Sequence, residues 1–147
     1  MTNATMRKFG YPQTLIAETP RWAVLLRPQQ VTLGALVLVC KEPIFAFSDA
    51  SAESFAELRA VIRSVEQALG EFVRYQKINY LMLMMVDPDV HFHVVPRYEG
   101  ERRFAEIAFP DRGWPGPPAL AEAVAPHQHV VNQLVSTLRG LWPRIDV

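Results

Sequence analysis

The stretch Asp89-Val90-His91-Phe92-His93-Val94-Val95-Pro96-Arg97 constrains the fold more than any other in the chain. Polar and apolar side chains alternate through Val94, and the apolar ones are β-branched or aromatic, which is the period of a strand and not of a helix. Alternation puts Asp89, His91 and His93 on one face and Val90, Phe92 and Val94 on the other, with same-face neighbours about 6.5–7 Å apart. One wall of this strand must join a core while the other presents a short polar row. Pro96 brings no amide hydrogen, so it closes the strand or lies on a sheet edge, and Arg97 follows where the chain leaves the sheet.

Other segments supply the elements around this strand. Residues 14–18 and 22–27 read as short strands broken at Pro20, and 33–40 reads as a central strand forming a hairpin with 22–27 around a loop at 28–32. Phe55, Leu58, Val61, Ile62, Val65, Leu69, Phe72 and Val73 recur every three or four residues, so the spacing predicts a helix from about 52 to 75, capped by Ser51 or Asp49. Residues 77–86 are apolar on both faces and too short for an ordinary helix ahead of Asp87-Pro88. They are expected to form a strand covered by the helix on one side and by a loop or partner subunit on the other, with Met82, Met84 and Met85 as adaptable packing and not a pocket wall. Asp87-Pro88-Asp89 is a tight turn.

Beyond Arg97, residues 104–109 are a candidate extra edge strand, and the Pro- and Gly-rich stretch 110–118 is a rigid loop. Trp114 in that loop either stacks on a ligand base or packs against the fold or a second subunit. Val130, Val131, Leu134, Val135, Leu138, Leu141 and Trp142 mark a terminal amphipathic helix, with His127 and His129 incidental in its first turn. The order strand, strand, strand, helix, strand, strand, helix predicts an α+β fold: a mostly antiparallel five-stranded sheet with one long helix and a C-terminal helix.

With 147 residues, 50% of them apolar, the chain is expected to be a single domain over 1–147, with about 99–147 as a C-terminal extension. Fifteen basic and fifteen acidic residues cancel, which argues against nucleic acid or a membrane surface as the main partner and leaves room for a small phosphate-bearing metabolite. Cys40, the only cysteine, lies in an apolar run and reads as a buried reduced thiol. No apolar stretch approaches spanning length and the N-terminus lacks the apolar core of a signal peptide, so a cytoplasmic location is expected.

An imidazole partly unprotonated at neutral pH can attack phosphorus to give a phosphoramidate that water later cleaves, and a second histidine two residues on can stabilise the phosphoryl oxygens or the departing group. Two histidines on a half-exposed strand can also be plain surface or core residues. His-x-His beside Asp89 could alternatively hold zinc, but no separate third ligand is evident, so neither metal nor cofactor is expected.

His93-Val94-Val95-Pro96-Arg97 resembles the end of the histidine triad (HIT) signature, His-φ-His-φ-His-φ-φ followed commonly by Pro-Arg, where φ is apolar. Anchored there, His93 corresponds to the third histidine, His91 to the central one and Asp89 to the first. The resemblance implies a nucleotide phosphohydrolase or nucleotidyl transferase in which the central histidine, His91, attacks an α-phosphate and forms a covalent nucleotidyl intermediate without a metal. His93 then assists catalysis, and Asp89, Arg97 and Trp114 complete the candidate substrate-binding set. The chain departs from the family at Asp89 and also at Ala35, where Gly-His is usual. Leu26 replaces a ribose-holding Asn or Asp, and the connection before the histidines lacks Gly-Gln-Ser/Thr. The alternative is a non-catalytic module that binds a nucleotide or phosphometabolite. A homodimer is expected, because the two-sided apolar run at 78–86 and the long helix leave more apolar surface than one small sheet covers.

Overall fold

Continuous Val, Leu and Ala in the first third of the chain force a strand pair buried on both faces, and that pair lies within the sheet. In the computed structural model, which describes residues 2–144, β1 (Leu15–Glu18), β2 (Trp22–Leu26), β3 (Leu36–Cys40), β4 (Lys77–Leu81) and β5 (His91–Arg97) form a five-stranded sheet in the order β1-β2-β3-β5-β4. Every neighbouring pair is antiparallel, and β2 and β3 are buried at every position. The histidine strand β5 lies inside the sheet between β3 and β4.

Helices α2 (Ala52–Val73) and α3 (Gln128–Leu141) belong to one face, where Trp22, Val24, Leu26, Leu36, Leu38, Val90 and Val94 meet Leu58, Val61, Val65, Leu69, Leu134 and Leu138 in the main core. The α2 start follows its sequence signal: Ser51 is the N-cap and its side chain accepts from the Ser54 amide. Trp22 Nε1 donates to the Ser54 carbonyl at 2.8 Å, tying this helix end to β2. The opposite face carries Ala23, Leu25, Val37 and Val39 under Met6 and Phe9, residues within and just after a short helix α1 (Ala4–Lys8).

Several boundaries differ from expectation for physical reasons. The central strand starts at Leu36 and not at 33, because Gly34 takes φ +91° and its amide turns to the Gln30 side chain. The run 77–86 is a strand only to Leu81: it forms the sheet edge, and Met84 at φ +51° interrupts the extended backbone. The segment at 101–110 is a separate hairpin of β6 (Glu101–Phe104) and β7 (Ile107–Pro110), not one edge strand. Buried Tyr98 anchors it, accepting from the Leu33 amide and donating to the Phe109 carbonyl.

Candidate active site

Strand alternation turns His91 and His93 to the α1 face while Val90 and Val94 enter the main core. Both imidazoles are nearly enclosed, at 2% and 9% exposure, with ring centroids 5.1 Å apart edge to face. Phe9 packs on both, 6.4 Å from the His91 ring and 5.9 Å from the His93 ring. Nδ1 of His91 lies 2.6 Å from the main-chain carbonyl oxygen of Asp89. A carbonyl only accepts, so Nδ1 carries a proton, and in the neutral ring the lone pair is therefore on Nε2.

The Asp89 carboxylate has a different task. It is buried and accepts from the Thr5 amide at 3.0 Å and the Thr5 hydroxyl at 2.8 Å, which pins α1 against the turn before β5. The side chain of Asn3, the N-cap of α1, reaches the Cys40 carbonyl at 2.9 Å and fastens the helix a second time. Asp89 thus positions the site through its backbone and through α1, and its carboxylate is engaged away from the imidazoles.

A cavity of about 420 Å³ opens beside the histidines, within the range of small-molecule sites. Lys8, Phe9, Arg27, Pro28 and Gln29 line one part of it, and Leu83, Met84, Met85, Val86 and Asp87 another. Of the methionines expected as packing, Met82 and Met84 do pack against the main core, but Met84 and Met85 also line this cavity, because the chain leaves the sheet after Leu81. Lys8 is paired with Asp87 at 2.7 Å. Desolvation, followed by the nearby His91 and the Arg27 guanidinium, pushes His93 down to about 4, so it is uncharged at neutral pH. Its Nδ1 is buried with no protein partner. Among the described residues, no group of three or more His, Cys, Asp or Glu side chains is placed to hold a metal ion.

Arg97 and Trp114 are not brought to the histidines. Arg97 makes a buried bidentate pair with Asp111, at 2.8 and 3.1 Å, and its third nitrogen donates to Asn79 at 2.8 Å. Together with Lys77, Asn79 and the loop at 114–117 it lines a second cavity of about 390 Å³ at the other end of β5. Arg97 clamps the edge strand to the loop after β7, and Trp114 lies in that loop. Sequence reasoning missed Lys8, Phe9 and Arg27. The only signal for Arg27 was its alternation with Ala23 and Leu25, which the hairpin register makes readable.

The HIT domain family matches residues 9–100, most of the chain and all of the five-stranded sheet. The chain belongs to the HIT family. Its fold is the HIT-like α+β fold, as similar solved structures show. A histidine triad protein from Marinobacter aquaeolei VT8 superposes with a TM-score of 0.75 at 19% identity, covering 99% of this chain and 98% of that one. One from Bradyrhizobium japonicum gives 0.72 at 22%, covering 95% and 96%. A hypothetical histidine triad nucleotide-binding protein from Sulfolobus tokodaii gives 0.65 at 20%, covering 87% and 82%. No curated protein matches the chain.

Proposed function

We propose that this HIT protein is a nucleotide phosphohydrolase or nucleotidyl transferase acting on a phosphoanhydride, phosphoramidate or phosphoester through His91. The hydrogen bond from His91 Nδ1 to the Asp89 carbonyl carries the proposal, because it leaves Nε2 as a directed nucleophile in a ligand-sized cavity. Family membership and the nucleotide binding named for the Sulfolobus tokodaii relative support a nucleotide as the ligand.

In this reading Nε2 attacks phosphorus and the leaving group departs with the bonding electrons. The imidazole ring gains positive charge as the P–N bond forms, and the Nδ1–H bond to the carbonyl strengthens with it. His93, uncharged and adjacent, donates a hydrogen bond to the phosphoryl oxygens. Water, or an acceptor in a transferase, then attacks the phosphorus and the P–N bond breaks. Asp89 stands at the position of the first histidine of the triad and serves through its carbonyl. The second reading, binding without turnover, is favoured by Ala35, on the histidine face where Gly-His is usual; Leu26, expected in place of a ribose-holding residue, is buried in the main core on the other face.

The experiment is a screen of dinucleoside polyphosphates, nucleoside phosphoramidates and nucleotide sugars with wild type and His91→Ala side by side. An acid-labile, alkali-stable adduct on His91 and turnover lost in the variant are expected. Tight binding without an adduct or turnover would favour the binding module. The working species in this proposal is a homodimer.

A further inference from the structure

One strong charge in the cavity has no task in the scheme above. On the histidine face, the register sets Ala23, Val39 and His91 in one row and Leu25, Val37 and His93 in the next. Continuing the alternation by one step gives Arg27, Ala35 and Val95, and the Arg27 amide donates to the Ala35 carbonyl at 3.0 Å. Ala35 projects only a methyl group between Arg27 and β5. The guanidinium therefore shares a cavity with both histidines, and its charge is felt at His93.

Arg27 Nη1 donates to the Gln29 carbonyl at 2.7 Å, whereas Nε–H is buried with no partner. Three buried side-chain polar atoms among the described residues lack a partner, and two of them, Arg27 Nε and His93 Nδ1, belong to this cavity. Buried polar atoms without partners are costly, so two of them on residues that line one cavity mark it as the part of the fold where bonding is left incomplete. Lys8 is neutralised by Asp87, but no carboxylate pairs with Arg27 among the described residues. Phe9 and residues 83–86 contribute apolar surface, leaving one uncompensated positive charge in a half-open, partly apolar site.

We propose that Arg27 forms an anion subsite that holds a second negatively charged group of the ligand, beside the phosphate presented to His91. This inference rests on the nucleotidyl-transfer reading and sharpens its choice of leaving group. An amine or alkoxide must take up a proton to depart. His91 is the nucleophile, burial and its neighbours hold His93 uncharged at neutral pH, and Lys8 is paired with Asp87, so a departing phosphate suits the cavity better than a departing amine or alkoxide. A phosphate leaving group needs no proton. The P–N bond forms at His91 Nε2, the bridging P–O bond breaks, and its electron pair stays on the departing phosphate, whose charge Arg27 neutralises.

Calorimetric titration with inorganic pyrophosphate and with inorganic phosphate tests the subsite without knowledge of the base. Wild type is expected to prefer pyrophosphate by about tenfold or more, with Arg27→Gln losing that preference and Arg27→Lys, which keeps the charge but not the fork, retaining part of it. In a second arm, Arg27→Gln is expected to slow labelling of His91 by diadenosine tetraphosphate by about tenfold or more while changing labelling by adenosine 5′-phosphoramidate by less than about twofold. Circular dichroism reports folding. If Arg27→Gln does not fold, wild type and Arg27→Lys decide: no pyrophosphate preference in wild type, or none lost in Arg27→Lys, overturns the inference. It is also overturned if Arg27→Gln leaves pyrophosphate binding unchanged or slows both donors equally, even while His91 is labelled. No label from either donor, with Arg27-dependent pyrophosphate binding retained, overturns the nucleotidyl-transfer reading and supports the anion subsite.

Discussion

His91 and His93 share a strand face but not a chemical role. The backbone carbonyl of Asp89 fixes the tautomer of His91, whereas His93 has an unpartnered Nδ1 and a depressed proton affinity. His91→Ala is expected to abolish turnover, because no neighbouring group replaces the nucleophile. His93→Ala removes one stabilising donor and should cost about 3–4 kcal/mol in the transition state, leaving measurable residual activity. Steady-state kinetics with one donor for both variants checks this, and the reverse ranking would make His93 the nucleophile. A pH dependence also follows. The unfolded chain takes up the His93 proton near 6.5, and the folded chain takes it up only near 4. Between those values the unfolded state binds more protons, so stability is full above about 6.5, falls as the pH drops towards 4, and His93 adds no further slope below that. Urea midpoints across this window should slope less in His93→Asn.

At the scale of elements, the site depends on two segments that are not strands, α1 and the chain from 82 to 87. Thr5 in α1 provides two donors to the buried Asp89 carboxylate, and the Asp89 carbonyl orients His91. Thr5→Val keeps the amide donor and removes the hydroxyl. The expected loss is about 1–3 kcal/mol, read as a lower urea midpoint at unchanged slope, together with reduced turnover. These elements were unequally legible. The 3.6-residue period of α2 and the strand alternation around His91 extend over enough residues to be read directly. Helix α1 is five residues long, too short for a period to emerge, although Asn3 is an N-cap signal. The β6–β7 turn uses Ala105 and Glu106, both at positive φ, in place of the Asn-Gly or Asp-Gly that announces such a hairpin. The histidines could be found from sequence because they are neighbours on one strand. Lys8 and Arg27 reach them only through the fold.

For the whole molecule, the sheet ends at β4, and an edge strand leaves backbone donors and acceptors without partners. Phe45, Phe47, Phe55, Leu83, Met85 and Val86 are large apolar side chains left exposed. A dimer that covers part of this surface is expected, and light scattering at micromolar concentration should report twice the chain mass; a monomer would remove the dimer from the proposal. Among the described residues, no helix is long and apolar enough to cross a membrane.

The segment that leaves the sheet after Leu81 also presents an oxidisable side chain to solvent. Met85 is 84% exposed on the cavity wall. Dilute peroxide reaches its thioether freely and converts it to the sulfoxide, which is polar and chiral. The apolar side of the cavity would then be altered by an oxidant too mild to disturb the core. Peptide mass spectra should show Met85 oxidised ahead of buried Met6, with ligand binding weakening in step, and a methionine sulfoxide reductase should restore both.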